Sequence, residues 1–294
     1  MRRALGFELE RAGALLAQFV AFAEDTGADV ITVELALAWA HLPKDAKPIW
    51  VARRLEVVRR FARHVAVLDP RNEVIPTDLF AVRVTRRPPY LYAPEEIAAL
   101  MKAASQLANP LKAATFETLI GLLACTGLRA GEAMRLDRSD FDTERGLLTV
   151  RNSKFNKSRQ VLVHPTTVNA LCRYGRRRDE LCPSPRAPAM LLSSTGARLG
   201  HPVLQPTFAG LLRETGIGAS APRRPRVHDL RHSFSVATLL RWYRDGGDVA
   251  VRMPALSTYL GHVDPASTYW YLQATPELLR MAADRLEATF GGAR

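Results

Sequence analysis

Four segments of this chain carry polar residues in patterns that a buried core does not require. In Thr126-Gly127-Leu128-Arg129-Ala130-Gly131-Glu132, a glycine turn leads into a helix whose first turn holds an arginine and, three residues on, a glutamate. Residues three apart share a helix surface, so Glu132 can orient the Arg129 guanidinium. In Ser153-Lys154-Phe155-Asn156-Lys157-Ser158-Arg159, two of the chain's six lysines fall in one polar turn. A turn tip can reach into a groove of DNA, and an ammonium, unlike a guanidinium, can give up its proton. Val227-His228-Asp229-Leu230-Arg231-His232-Ser233-Phe234 sets His228 and Arg231 on one helix face and Leu230 and Phe234 on an apolar one. In Leu260-Gly261-His262-Val263-Asp264-Pro265-Ala266-Ser267-Thr268-Tyr269-Trp270-Tyr271, a histidine behind a glycine is followed nine residues later by a tyrosine. Taken singly, each has an ordinary explanation: a helix-start ion pair, a lysine-bearing turn, a structural histidine, an aromatic core helix.

The elements that must hold these residues can be read from periodicity. Ala93-Pro94-Glu95-Glu96 suits the positive end of a helix, and further helices are predicted over Thr115 to Cys125 and Arg129 to Leu136. The β-prone runs Gly146 to Arg151 and Gln160 to His164 flank the polar Asn152 to Arg159 and read as a hairpin. A strand-turn pair is predicted at Leu191 to Ser194 and Arg198-Leu199, a basic, proline-containing loop over Arg173 to Pro188, and helices thereafter. Thr275-Pro276-Glu277 opens a last helix, about 276–290, with Leu278, Leu279, Ala282, Leu286 and Phe290 as its apolar stripe.

Residues 1–83 read as helices alone: Glu8 to Asp25, then Val33 to His41 capped by Thr32, then about Ile49 to Val67. The third helix carries Val51, Leu55, Val58, Ala62 and Val65 on one side. Arg53, Arg54, Arg59, Arg60 and Arg63 lie largely on the others, with Glu56 as a lone acid, which points to a DNA-facing surface. The proline- and arginine-rich stretch around Val84 to Tyr90 marks a linker, 84–92, between this part and 93–294.

Composition bounds the possibilities. The chain has 294 residues, with 41 Lys or Arg against 29 Asp or Glu, a formal charge of +12. With 47% hydrophobic residues it can bury a core, which excludes wholesale disorder. No apolar run approaches the roughly 20 residues that span a bilayer, and no signal peptide opens it, so a cytoplasmic protein without a membrane partner is expected. Cys125, Cys172 and Cys182 are too few and too scattered for a disulfide framework or a closed zinc site. The basic excess favours a polyanion such as nucleic acid, although an arginine-rich chain also follows from a GC-rich coding sequence.

The order and joint presence of the motifs say more than any one of them. Arg129, Lys154, His228-x-x-Arg231, Gly261-His262 and Tyr271, set in Thr-Gly-Leu-Arg-x-x-Glu, a hairpin lysine, His-x-x-Arg-His-Ser-Phe and Leu-Gly-His, resemble the tyrosine recombinase (phage integrase) family. The resemblance covers essentially all of 93–294, and 1–83 looks like that family's core-binding domain. It implies a two-domain protein, mainly α with a small antiparallel β-sheet, that cuts and rejoins double-stranded DNA through a 3'-phosphotyrosyl intermediate, with no cofactor and no metal. By resemblance Tyr271 is the nucleophile, His228 the base, His262 a phosphate donor, and Arg129 and Arg231 the phosphate clamp. Lys154, which aligns with the first lysine of that family's hairpin motif, is the acid for the leaving oxygen; Lys157 is the runner-up, since the turn departs from the family pattern with Phe155 where glycine is frequent. Glu132 supports the site, and Lys157 and Arg159 join the arginines of the third helix as DNA contacts. The family also implies a tetramer on DNA, coupled by the helix at 276–290, and leaves room for accessory proteins. With no arm-binding domain expected before the first helices, a recombinase of a transposon, phage or other bacterial mobile element is favoured. A tyrosine-based DNA-relaxing topoisomerase and a catalytically silent DNA-binding regulator are the alternatives.

Overall fold

The structure, a computed structural model, describes residues 10–79, 88–151, 158–273 and 275–290. The chain divides into two units, Met1–Arg87 and Pro88–Arg294. Residues 84–87 of the predicted linker, 84–92, fall outside the described residues.

The first unit contains α1 (Glu10–Asp25), α2 (Val33–His41) and α3 (Pro48–Leu68). Thr32 caps α2, its side chain accepting from the Leu35 amide at 3.1 Å, and Pro48 opens α3, where a missing N–H costs nothing. Phe19, Trp39, Leu55, Val58 and Ile75 form the core, with the Phe19 and Trp39 rings edge to face at 5.4 Å. Here the structure corrects the reading of the arginines. Arg53, Arg60 and Arg63 are exposed, but Arg54 and Arg59 are only 6% and 7% exposed. They sit one turn from Val51 and Leu55 and so flank the apolar stripe, where a long aliphatic stem can lie along the core while its head finds acceptors. The Arg54 guanidinium stacks 3.7 Å over Trp39 and donates to its carbonyl at 2.7 Å. Arg59 donates to Glu56 at 2.6 Å and to the Pro76 carbonyl at 3.1 Å.

The second unit is mainly helical, with one small antiparallel sheet. Its helices are α4 (Pro94–Ser105), α5 (Pro110–Thr126), α6 (Ala130–Arg135), α7 (Pro165–Leu181), α8 (His201–Thr215), α9 (Asp229–Arg244), α10 (Val249–Leu260), α11 (Ala266–Tyr269) and α12 (Pro276–Phe290). Between α6 and α7, β1 (Phe141–Asp142), β2 (Leu147–Val150) and β3 (Arg159–Leu162) form a meander. The register pairs Leu148 with Val161 and Val150 with Arg159, which sends Leu148, Val150 and Val161 into the core beside Phe116, Leu119, Leu123 and Leu230.

Of the loop expected over Arg173 to Pro188, residues 173–181 are instead the second half of α7, and only 182–188 are irregular. Leu171, Tyr174 and Arg178 recur at helical spacing and are buried, and Tyr174 Oη meets Thr115 Oγ1 of α5 at 3.0 Å. Arg173, Arg176 and Arg177 lie on the helix's outer face, while Arg178 Nη2 donates inward to the Ala189 carbonyl at 2.9 Å. The strand-turn pair at 191–199 reduces to a single antiparallel bridge, Leu192 to Arg198. At the C-terminus α12 packs on its own unit: Leu278 is buried with Val236, Leu239 and Leu260, and Arg244 of α9 pairs with Glu277 at 2.7 Å. Among the described residues no helix is long and apolar enough to cross a membrane.

Candidate active site

Two helix C-termini frame the polar cluster. Helix α5 ends at Gly127, in the left-handed region at φ 62°, where a Cβ would stand 2.5 Å from the Phe234 ring. The turn delivers Arg129 as the N-cap of α6 and lets Glu132 fold back on it. The Arg129 amide donates to Glu132 Oε2 at 3.0 Å, and its Nη1 to Oε1 at 2.7 Å.

Helix α10 ends the same way at Gly261, φ 69°. A helix leaves its last carbonyls without intrahelical partners, and here three consecutive ones each receive a different arginine. Arg159 Nε of β3 donates to the Tyr259 carbonyl at 2.8 Å, Arg231 Nη2 of α9 to Leu260 at 2.7 Å, and Arg129 Nη2 to Gly261 at 3.2 Å. The negative end of the α10 dipole thus draws three cations from three elements to one point.

The residue after this turn is His262. Its Nε2 lies 2.9 Å from Arg231 Nη2 and its Nδ1 2.6 Å from Thr268 Oγ1. A guanidinium can only donate, so Nε2 accepts and Nδ1 carries the proton toward Thr268. Arg231 also donates to the Gly127 carbonyl at 2.7 Å, so it ties the ends of α5 and α10 together. Tyr271, in the 3₁₀ turn Trp270–Gln273, is 2% exposed and stacks on His262 with ring centroids 6.2 Å apart. Its hydroxyl meets His232 Nδ1 at 3.1 Å. Tyr269, two residues earlier, is 47% exposed. His228 caps α9 and sets its ring edge-on to His232 at 4.8 Å.

Crowded positive charge shapes the titration of this cluster. Burial alone would raise the Glu132 pKa, but the hydrogen bonds and charge of Arg159, with those of Arg129, outweigh it and hold the carboxyl down at about 2. Burial and then the charge of Arg129 push Arg231 down to about 10, still cationic at neutral pH. Desolvation, followed by Arg231 and its neighbouring arginines, lowers His228 and His262 to about 4. Desolvation and His228 bring His232 to about 3. At pH 7 the site therefore presents cationic arginines and neutral imidazoles. Among the described residues, two of the five N–H donors of Arg129 and three of those of Arg231 are engaged with the partners above, which leaves further donors on both.

Of the residues singled out from sequence, Arg129, Glu132, Arg231, His262 and Tyr271 converge here, with His228 at the edge. Lys154 and Lys157 lie outside the described residues. Arg159, read as a DNA contact, is turned inward: its side chain is 11% exposed and bridges to both oxygens of Glu132. The hydroxyl of Tyr271 pairs with His232 instead of His228. Adjacent helix residues point about 100° apart, so the face that aims Arg231 at the α10 terminus aims His232 at Tyr271. Sequence reasoning passed over His232 and Thr268, although both stand inside the quoted motifs.

The family model described as the phage integrase family matches residues 91–277. Among curated proteins, y4rB of Sinorhizobium fredii, an integrase/recombinase by name, is 43% identical over 98% of this chain and 94% of its own length. The tyrosine recombinase XerC of Chromohalobacter salexigens is 30% identical over 84% of this chain and 76% of its own. The fold is also that of the Tn1549 transposon integrase solved with transposon right-end DNA, at TM-score 0.67 and 16% identity over 97% of this chain and 96% of that one.

Proposed function

The chain belongs to the phage integrase family, the tyrosine recombinases, and is a site-specific DNA recombinase; from this premise we propose how its residues divide the reaction. The Tyr271 oxygen attacks the scissile phosphorus, the bond to the 5'-oxygen breaks, and a 3'-phosphotyrosyl link conserves the phosphodiester for resealing. Charge grows on the non-bridging oxygens in the pentacoordinate state. Two guanidiniums with spare donors, Arg129 and Arg231, stabilise it through rigid forks of N–H groups. The observation that carries this reading is the convergence of Arg129, Arg231, His262 and Tyr271, from four separate elements, on the Gly261-His262 turn.

A tyrosine is a weak nucleophile at neutral pH and needs a base or local positive potential. In the free protein His232 holds the hydroxyl and Tyr271 is covered, so attack requires the ring to swing out toward the phosphate. An arriving phosphate offsets the arginine charges that depress His228 and His232, which strengthens both as proton acceptors; His228 takes the role of base, and His232 holds the hydroxyl until then. His262 donates to a phosphate oxygen from Nε2 once the phosphate takes over the Arg231 Nη2 donor that Nε2 accepts in the free protein, and the Thr268 hydroxyl permits the change of tautomer by turning from acceptor to donor at Nδ1. Lys154 protonates the leaving 5'-oxygen, with Lys157 the second choice. Glu132 keeps Arg129 in place.

Residues 1–83 act as a core-binding domain, with Arg53, Arg60 and Arg63 on the DNA backbone, joined through 84–92 to the catalytic domain 93–294. Recombination takes place in a tetramer on DNA in the bacterial cytoplasm, and the exposed Leu279 side of α12 is the part left for a neighbouring protomer. The test is an SDS-resistant protein–DNA adduct on a nicked duplex carrying the selected binding site. The wild type is expected to form it and Tyr271→Phe to form none; an undiminished adduct from the variant refutes the assignment of the nucleophile.

A further inference from the structure

Arg159 is charged, lies next to the lysine turn and was expected to grip DNA, yet its donors are aimed into the protein. Its Nη1 and Nη2 reach Glu132 Oε1 and Oε2 at 3.1 and 2.9 Å, a two-pronged pairing, while Nε holds the Tyr259 carbonyl at 2.8 Å. Gly261 has no side chain where this guanidinium passes; a Cβ there would stand 2.7 Å from Nη1. Glu132, 2% exposed, passes the constraint on, since the same two oxygens receive Nη1 and the amide of Arg129. A second route runs through the α10 terminus, where Arg159 fixes Tyr259 and Arg129 reaches Gly261 two residues later.

We propose that Arg159 is a positioning residue that sets the Arg129 guanidinium for the scissile phosphate, acting through Glu132 and the 259–261 carbonyls, and that it does not contact DNA. The proposal rests on the reading of Arg129 as a phosphate ligand. Without Arg159, the buried carboxylate of Glu132 has only Arg129 to neutralise it and draws that guanidinium toward itself. A lysine cannot substitute, because a single ammonium lacks the fork that spans both oxygens while also reaching Tyr259.

The experiment uses the full chain and a duplex site selected by it from a random pool, made with either a normal phosphate or a neutral methylphosphonate at the cleavage position. Replacing a charged oxygen by methyl removes the demand for a correctly placed guanidinium. Arg159→Gln is expected to cut the phosphate site about 100-fold more slowly at saturating protein, the scale of loss when a reacting group is misplaced by about 1 Å. Its duplex affinity should be unchanged and its rate on the methylphosphonate close to wild type. Arg159→Lys should follow the same pattern, and serves alone if the glutamine variant fails to fold. Arg129→Ala is the reference: if the methylphosphonate does not rescue it, the reading of Arg129 is wrong and the inference falls with it. If Arg129→Ala is rescued and the Arg159 variants are not, only the inference is overturned. Weaker DNA binding with an unchanged saturated rate would make Arg159 a DNA contact and overturn it as well.

Discussion

Replacing Glu132 by glutamine tests the charge balance on which the site depends. The carboxylate accepts four hydrogen bonds: Oε1 from Arg129 Nη1 and Arg159 Nη1, Oε2 from the Arg129 amide and Arg159 Nη2. Glutamine retains one oxygen but turns an amide donor toward donors, so two bonds and the compensating charge are lost together. The magnitude follows from proton linkage. A carboxyl at about 2 in the folded chain, against 4.5 for an ordinary glutamate, gains roughly 3 kcal/mol from being ionised in place. That lies at the lower end of what breaking a buried ion pair costs, about 3–5 kcal/mol. For a unit of this size each kcal/mol moves the midpoint by about 2–4 °C, so Glu132→Gln should melt about 6–12 °C below the wild type at pH 7.

The pH dependence separates this cause from a generic packing defect. Because the folded pKa of Glu132 is below the unfolded one, its contribution is complete above pH 4.5 and fades as pH falls toward 2. The gap between wild type and variant should therefore be full at pH 7 and close progressively below 4.5. His228, His262 and His232, at about 4, 4 and 3 in the fold, also cost stability as pH drops below 6.5, since the unfolded chain takes up protons first. Most of that loss is common to both proteins; Glu132 raises His228 and His262, so its removal depresses them further and adds a small cost to the variant that opposes the closing of the gap. Thermal denaturation of the full chain at pH 7, 4 and 3 measures the gap. No gap at pH 7, or one that persists undiminished at pH 3, refutes the reasoning.

Other expectations can be checked with binding and cleavage assays. Lys154→Ala should slow cleavage by about 10²–10⁴-fold, the usual worth of a proton donor. It should recover on a duplex whose leaving 5'-oxygen is replaced by sulfur, because a thiolate departs without a proton; recovery seen for Lys157→Ala instead would move the role to that residue. In the first unit, Arg53→Ala or Arg63→Ala should lower the slope of log affinity against log salt by about 0.9 each if each neutralises one phosphate. Arg54→Ala should instead lower the melting temperature, since its guanidinium holds Trp39; a salt slope that shifts for Arg54 and not for Arg53 would reverse the assignment of faces.

What the sequence made legible, and what it hid, follows from how far away each residue's partner lies. Thr32 caps α2 and Glu132 folds back on Arg129 within three residues, so propensity and spacing suffice to place them. Arg54 and Arg53 are neighbours in the same basic helix; helical phase sets Arg54 beside the apolar stripe, but the Trp39 ring and carbonyl that hold its guanidinium lie 15 residues away. The partners of Arg159 are 27 and 100 residues distant, and the partner of His232 is 39 distant. No local pattern could show that an arginine beside a lysine turn faces a buried carboxylate, or that the histidine after Arg231 is the one that holds the tyrosine. The arginine content also takes on a cause beyond coding bias. Arg129, Arg159 and Arg231 can be packed together because one helix end supplies three unpaired carbonyls and Glu132 supplies a full charge. On the proposed reading, a site that stabilises charge growing on a phosphate needs more positive charge than one carboxylate cancels. The fold meets that need by offsetting the excess with backbone dipoles, which stabilise guanidiniums without neutralising them.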